Sequence, residues 1–210
     1  MFHKPAFHLT GLLAATLLLT TALTPPTRPA KATTYTVDTE QSKLIWNAKK
    51  VGGEHNGIIK LTKGELTVDG AKLTGGNFVA DMTTIRDTDK PEPNERLMGH
   101  LRSDDFFGVE KNPTSAFKIT KVTPIAGAKA GEANFTITGD LTIKGITKPQ
   151  TFPAVVKVTG NAVEATAKLA VNRIEYDIKY RAALIGTVAD KIIEDTFLLD
   201  LKLVANKATL

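Results

Sequence analysis

The chain has 210 residues, of which 42% are apolar and 23% are charged, with a net charge of +5 and no cysteine. This length fits one domain, or one domain with an appendage, and it is sufficient to bury a sizeable core. The lack of cysteine excludes a disulfide scaffold, thiolate metal sites, a cysteine nucleophile and a lipid attached through cysteine.

The first 32 residues read as an export signal. They hold three basic residues and no acidic one, and the stretch Leu9–Leu23 carries no charge. A basic start, an apolar run of about 15 residues and the sequence Ala30–Ala32 predict a secretory signal peptide cut after Ala32. The run is shorter than the roughly 20 residues that span a bilayer. We therefore expect a periplasmic or secreted protein, with residues 33–210 as its domain and with no stable membrane anchor.

Apolar and polar residues alternate along much of the chain after residue 33. Residues 135–144 show this most clearly, because their apolar side chains fall on odd positions. Such alternation predicts strands with one buried and one wet face. Similar runs cover 44–49, 78–83, 165–172 and 197–203, and less regular ones cover 57–68, 115–123 and 151–159. The sequence therefore predicts about eight strands.

Short glycine-containing turns between these runs indicate antiparallel neighbours. We predict an all-β fold, an eight-stranded antiparallel up-and-down barrel with one or two short helices, because a closed barrel leaves no exposed edge. A two-sheet sandwich is the alternative. A helix is predicted to begin at Pro93–Glu95 and to carry an apolar stripe that includes Leu101. The stretch Glu54–Gly57 is interpreted as a hairpin turn, with Gly57 at positive φ.

The sequence offers little for chemistry. It contains no phosphate-binding glycine loop, nucleophile elbow or zinc-protease motif. His100, Ser103 and Asp104 are the residue types of a catalytic triad, but such close spacing is more typical of a helix end. His55 and His100 lack ligand spacing, so we predict no catalytic residue, metal or cofactor. Because basic and acidic residues alternate over the remaining chain, whose net charge is +2, we expect no nucleic-acid partner.

Arg173 is the one charge in an unexpected place. The alternation of Ala167, Leu169 and Val171 puts the next inward position at Arg173. An inward arginine that is dry and unpaired is costly. Two interpretations therefore remain: a salt bridge with a carboxylate such as Asp177 or Asp195, or contact with the polar head group of a ligand.

A set of motifs along residues 35–205 resembles the YceI-like family of periplasmic and secreted lipid-binding proteins. Each motif is weak alone, but their order is specific. They are Tyr35–Asp38 with Ser42 and Trp46, Gly53–Gly57, Leu73–Phe78 with Asp81 and Met82, His100–Phe107 with Pro113 and Phe117, Gly139–Gly145 with Thr147 and Pro149, Asn172 and Arg173 with Tyr176, and Asp190–Asp195.

This resemblance implies a lipocalin-like barrel that holds an isoprenoid or other long-chain amphiphilic lipid, such as a polyprenyl phosphate or a quinone, in an apolar tunnel. An eight-stranded barrel has room for one small ligand. We expect the tunnel to be lined by Trp46, Phe78, Met82, Phe117, Phe135, Ile137, Leu141, Leu169, Val171, Phe197, Leu199 and Leu201. Candidates for head-group contact are Arg173, Tyr176 and Tyr180. For any single lining residue, plain core packing is the alternative role.

Two other functions stay open at this point. A ligandless structural or stress-related envelope barrel would need bulky inward residues throughout, whereas Ala48, Ala80, Ala165 and Ala167 leave space. An enzyme acting on a lipid or quinone would need an inward acid–base pair, and the inward positions are apolar except for Arg173. The sequence therefore favours a binding protein without chemistry of its own.

Overall fold

The computed structural model describes Met1 and residues 32–92, 94–183 and 186–208. The expected signal peptide lies almost entirely outside these described residues. The described part contains nine strands and one α-helix. In chain order these are β1 (Thr33–Val37), β2 (Lys43–Lys50), β3 (Gly53–Asp69), β4 (Lys72–Asp87), α1 (Glu95–Arg102), β5 (Thr114–Pro124), β6 (Phe135–Ile143), β7 (Ile146–Val158), β8 (Ala162–Asn172) and β9 (Ile193–Lys207). Short 3-10 helices cover Arg173–Tyr176 and Ala189–Lys191.

The strands close into a barrel in which every neighbour is antiparallel. The order around the barrel is β2, β9, β8, β7, β6, β5, β4, β3 and back to β2. Strands that follow one another in sequence are also neighbours in space, which makes this an up-and-down barrel. The prediction of eight antiparallel strands is therefore confirmed, and closure removes the unpaired edges that an open sheet would expose.

The ninth strand, β1, shares one barrel position with β2. Both strands lie between β3 and β9, β1 at one end of the barrel and β2 further along. The break between them is a turn at Asp38, whose carboxylate Oδ1 accepts hydrogen bonds from the backbone N–H groups of Glu40 (3.1 Å) and Gln41 (3.0 Å). This local bonding ends β1, so one position of the wall is built from two short strands.

The end of the barrel at β1 is filled by a packed core. Leu66, Val68, Val163, Leu203 and Ala205 are almost fully buried there. Val163 pairs with Ala205 across β8 and β9, and Val68 pairs with Thr33 across β3 and β1. This packing fills one end of the barrel.

The opposite end is covered by α1 and by the chain that follows β8. Asn94 caps α1 with its side-chain oxygen, which accepts from the Leu97 N–H at 3.1 Å. The buried Asp87 carboxylate at the end of β4 accepts from the backbone N–H of Asp89 and of Asn94, both at 2.8 Å. These bonds fix the chain between strand and helix, and the predicted helix is confirmed.

The predicted hairpin turn at Glu54–Gly57 is wrong. These residues lie inside β3, and the turn stands earlier, at Val51 and Gly52, where Gly52 has φ of 80°. Gly57 is glycine for another reason: a Cβ atom there would lie 2.5 Å from the ring of Trp46 and 2.0 Å from the carbonyl oxygen of Arg86. Its neighbours leave no room for a side chain.

Candidate functional site

An apolar cavity occupies the middle of the barrel and extends toward the end covered by α1. Its atom-free volume is about 1130 Å³ when the solvent at its opening is included, and its interior is narrow. The polar residues on its wall are Ser115, Arg173 and Glu194. A narrow apolar channel of this kind suits an extended hydrocarbon chain.

Nine of the twelve predicted lining residues border this cavity. They are Trp46, Phe78, Met82, Phe117, Leu141, Leu169, Phe197, Leu199 and Leu201. The other three, Phe135, Ile137 and Val171, are buried in the core but do not line the cavity. Phe135 and Ile137 pair with Ala154 and Phe152 on the side of β6 away from the 143–146 turn. Their side chains point inward, as the strand alternation predicts, but they pack into the core and do not border the cavity.

Several lining residues come from outside the predicted set. Leu44, Ala48, Ile59, Ala80, Ile143 and Phe152 lie on strands, and Leu101, Phe106, Phe107, Ile178 and Ile193 belong to the covered end or its border. The sequence alternation already marks Ala48 and Ala80 as inward positions that leave space, and the same alternation along β2 also points Leu44 inward. Ile178 carries no such signal, because it lies in a segment without regular periodicity.

Two segments, residues 95–112 and 173–183, meet over the covered end of the barrel through aromatic rings. The ring of Tyr180 lies 5.2 Å from that of His100 and 5.5 Å from that of Phe106, measured between centroids. Lys144, in the turn between β6 and β7, donates to the backbone oxygens of Asp104 and Asp177, both at 3.4 Å. These contacts join the two segments, which we call the cover, to each other and to the barrel.

Arg173 anchors the second segment of the cover. The residue is only 3% exposed, and its Nη1 donates to the carbonyl oxygens of Ile178 (2.7 Å) and Tyr180 (3.0 Å). The remaining N–H groups donate to the start of β9: Nε to Glu194 O at 3.0 Å, and Nη2 to Ile193 O at 3.0 Å and to Asp195 Oδ1 at 3.3 Å. Arginine has five N–H donors, and all five are engaged here.

The acceptors on β9 are available because of an irregularity in the barrel. Ala48 pairs with Phe197, whereas Lys50 pairs with Ile193, so residues 194–196 oppose the single Lys49. A bulge leaves backbone groups without partners in the ladder, and buried backbone groups need partners. The Arg173 guanidinium supplies hydrogen-bond donors to the carbonyl oxygens of Ile193 and Glu194. Burial lowers the pKa of Arg173, and the Asp195 carboxylate counteracts that effect.

The two candidate tyrosines lie beside the cavity but not on its wall. Tyr176 is 0% exposed, and its hydroxyl oxygen accepts a hydrogen bond of 3.1 Å from Nε2 of Gln150. Burial raises the pKa of the Tyr176 phenol, while the bond from Gln150 acts in the other direction. Tyr180 is half-buried between His100 and Phe106, with Cζ of Arg181 5.1 Å from its ring centroid.

The histidines are bound in local pairs. Nδ1 of His55 contacts Asp89 at 2.5 Å, and Nδ1 of His100 contacts Asp105 at 2.9 Å. The Ser103 hydroxyl donates to the backbone oxygen of His100 at 2.9 Å, at the end of α1. Within the described ranges of the chain, no three His, Asp or Glu side chains are grouped as a metal site would need.

None of the described helices has the length and apolar character to cross a membrane.

Comparison with known proteins gives the family. The model of the YceI-like domain matches residues 35–205. A UPF0312 protein of Shewanella denitrificans is 32% identical over 150 residues, which is 70% of each chain, and one of Pseudomonas putida is 32% identical over 134 residues, 62% of this chain and 66% of the relative.

Solved structures share the fold. BcnA of Burkholderia cenocepacia superposes with a TM-score of 0.63 at 22% identity, over 82% of this chain and 99% of its own. A polyisoprenoid-binding domain from Saccharophagus degradans superposes with a TM-score of 0.56 at 14% identity, over 83% and 98%. At these identities the likeness concerns the fold alone. Because the family model extends over nearly all of the described domain, the chain belongs to the YceI-like family.

Proposed function

We propose that this protein is an exported carrier that holds the apolar tail of an isoprenoid or similar long-chain lipid inside its barrel and performs no chemical step. The observation that carries this proposal is the narrow apolar cavity, closed by packing at one end and bordered by the cover at the other. Membership of the YceI-like family supports it, as does the polyisoprenoid-binding domain with the same fold.

Burial of the tail alone supplies enough free energy. Removing a methylene group from water contributes about 0.8 kcal/mol, so a chain of about 15 carbons gains on the order of 10 kcal/mol before the costs of ordering it are subtracted. The wall residues are aliphatic and aromatic, with Ala48, Ala80 and Ala167 leaving space between larger neighbours. A long flexible chain therefore binds without any specific polar contact.

The polar wall residues do not favour catalysis. Ser115 is a neutral hydroxyl, Glu194 is exposed, and Arg173 is bound to protein acceptors. General acid–base chemistry needs a pair of groups within hydrogen-bond reach of a bound substrate. The wall residues supply no such pair, which supports a role in binding.

We also propose export through residues 1–32. Support comes from the basic start and the apolar run, and from β1, the first strand of the barrel, which begins at Thr33. Protein isolated from an exporting host should begin at Thr33 in N-terminal sequencing and in its intact mass. A mature protein that still carries residues 1–32 would contradict export by cleavage.

The binding proposal is tested by the fluorescence of Trp46, the only tryptophan in the chain, which lines the cavity. Lipid is removed from the purified protein, which is then titrated with a quinone that bears three isoprene units. A bound quinone accepts energy or an electron from an excited indole nearby, so we expect quenching that saturates at one quinone per barrel. Absence of saturable quenching would contradict the proposal and favour a ligandless structural barrel.

Two alanines on β8 provide a matched pair of variants. Ala167 lines the cavity, whereas Ala170 is exposed on the outer face of the same strand. Ala167→Phe adds a ring to the cavity and should weaken quinone binding by at least about tenfold, since it displaces ligand carbons from the wall. Ala170→Phe should leave the affinity unchanged. Equal affinities for the two variants would contradict binding inside the barrel.

A further inference from the structure

The cation on the cavity wall is bound to the protein itself. Arg173 is the only cation on the wall among the described residues, and each of its five N–H donors has a protein acceptor at 2.7–3.3 Å. To bind a phosphate or a quinone oxygen, its guanidinium would have to release protein oxygens to which it now donates. Arg173 therefore holds the cover and has no donor left for a ligand.

Tyr176 and the remaining polar wall residues are also unsuited to a head group. The Tyr176 hydroxyl is buried against Gln150 and does not line the cavity. The indole N–H of Trp46 has no acceptor among the described residues, but the nitrogen is fully buried beneath its neighbours. Glu194 carries a negative charge, which repels a phosphate. Ser115 offers one neutral hydroxyl.

A head group inside this cavity would therefore lose its water without gaining partners. Burying a polar group without hydrogen bonds is unfavourable, and burying a phosphate without a paired cation is far more so. A tail in the cavity with the head group in solvent at the covered end avoids that loss. Arg181, which stacks on Tyr180 there, can form at most an exposed ion pair with such a group.

We infer that the barrel selects its ligand by the tail and is indifferent to the head group, so that an isoprenoid alcohol, its phosphate and a quinone with the same tail bind with similar affinity. This inference rests on the proposed function and adds to it the class of ligand: any amphiphile whose tail fits the channel. Tail length is then the property that the protein distinguishes, because each added carbon contacts the wall until the channel is full.

The test uses two sets of competitors against the quinone that quenches Trp46, in 0.15 M salt. The first set keeps a tail of three isoprene units and varies the head group between alcohol and monophosphate. The second keeps the alcohol and varies the tail from two to four units. We expect the alcohol and the monophosphate to have affinities within about fivefold of each other, since one exposed ion pair contributes no more than that. In the second set, the affinity should increase by at least about tenfold in total from two to four isoprene units.

The outcomes separate this inference from the proposed function. If the quinone quenches Trp46 but the phosphate and the alcohol differ by more than fivefold, the lipid-binding proposal stands and head-group indifference is overturned. Affinity that does not change with tail length overturns it as well. If the quinone itself does not bind, the proposed function fails first. Ala167→Phe should shift the preference toward the shorter tail, with Ala170→Phe as its control, and no shift would contradict selection by the channel.

Discussion

Arg173 joins the cover to the start of β9 through hydrogen bonds from its buried guanidinium. The alternation along β8 predicts that its side chain points inward, and the structure places it 3% exposed beside the cavity. Its partners are another matter. The carboxylate partner, Asp195, is one of the two that the sequence suggests, but the four carbonyl partners belong to segments without periodicity, so no pattern in the sequence could have paired them with Arg173. Of the two interpretations, the salt bridge with Asp195 is observed.

Removing the guanidinium should destabilise the protein strongly. Arg173→Leu leaves four carbonyl oxygens and one carboxylate without their donor, and breaking a buried, hydrogen-bonded charge of this kind costs about 3–5 kcal/mol. Urea unfolding followed by circular dichroism measures this loss. Asp195→Asn is the control: it keeps an oxygen at the half-buried acceptor and should cost no more than about 1 kcal/mol. Equal losses for both variants would contradict the anchoring role.

Tyr176 gives the protein a predicted sensitivity to alkaline pH. Burial raises the pKa of its phenol above the ordinary value of 10.0, and the Gln150 bond only partly opposes this. The folded protein then holds this proton more tightly than the unfolded chain does. This stabilisation is complete below the unfolded pKa and is lost as pH rises through the folded one. The melting temperature should therefore fall less steeply above about pH 10 in Tyr176→Phe than in the wild type. Parallel slopes would contradict the assignment.

Strands with clear apolar–polar alternation are predictable from the sequence. The turns and close contacts that interrupt the alternation are not. The run 135–144 matches β6 to within one residue, and the run 197–203 lies inside β9. The division into β1 and β2 depends on hydrogen bonds at Asp38, which alternation does not reveal. Gly57 was misinterpreted for a related reason. Glycine favours turns, but it also allows a close approach, and only the packing of Trp46 distinguishes the two.

The contact between β5 and β6 supplies a test of such close packing. A Cβ atom at Gly139 would lie 2.4 Å from Cζ of Phe117 and 2.5 Å from the carbonyl oxygen of Lys118. Gly139→Ala should therefore lower the free energy of unfolding by about 1–3 kcal/mol, measured by urea denaturation. The control is Gly99→Ala in α1, where nothing lies within 4 Å and helix propensity should add about 0.5–1 kcal/mol. An unchanged free energy of unfolding for Gly139→Ala would contradict this close packing, because the Phe117 ring would then have to move aside freely.

The cavity results from a division of the barrel interior into a packed end and a covered end. One end is filled by residues such as Leu66 and Val163, and the other is bridged by the cover. Alternation identifies which residues point inward, but it does not show where packing stops and the cavity begins. For that reason Phe135 and Ile137 belong to the core although their direction was expected, and Phe106 was not expected on the wall.

We propose above that the barrel carries a lipid whose tail lies inside it. Native mass spectrometry of the protein purified from its host under non-denaturing conditions tests this directly. We expect one bound long-chain lipid per barrel, which is released when the protein unfolds and is depleted in Ala167→Phe but not in Ala170→Phe. A protein that carries no lipid in replicate preparations, and that takes none up when isoprenoid lipids are added, would contradict it.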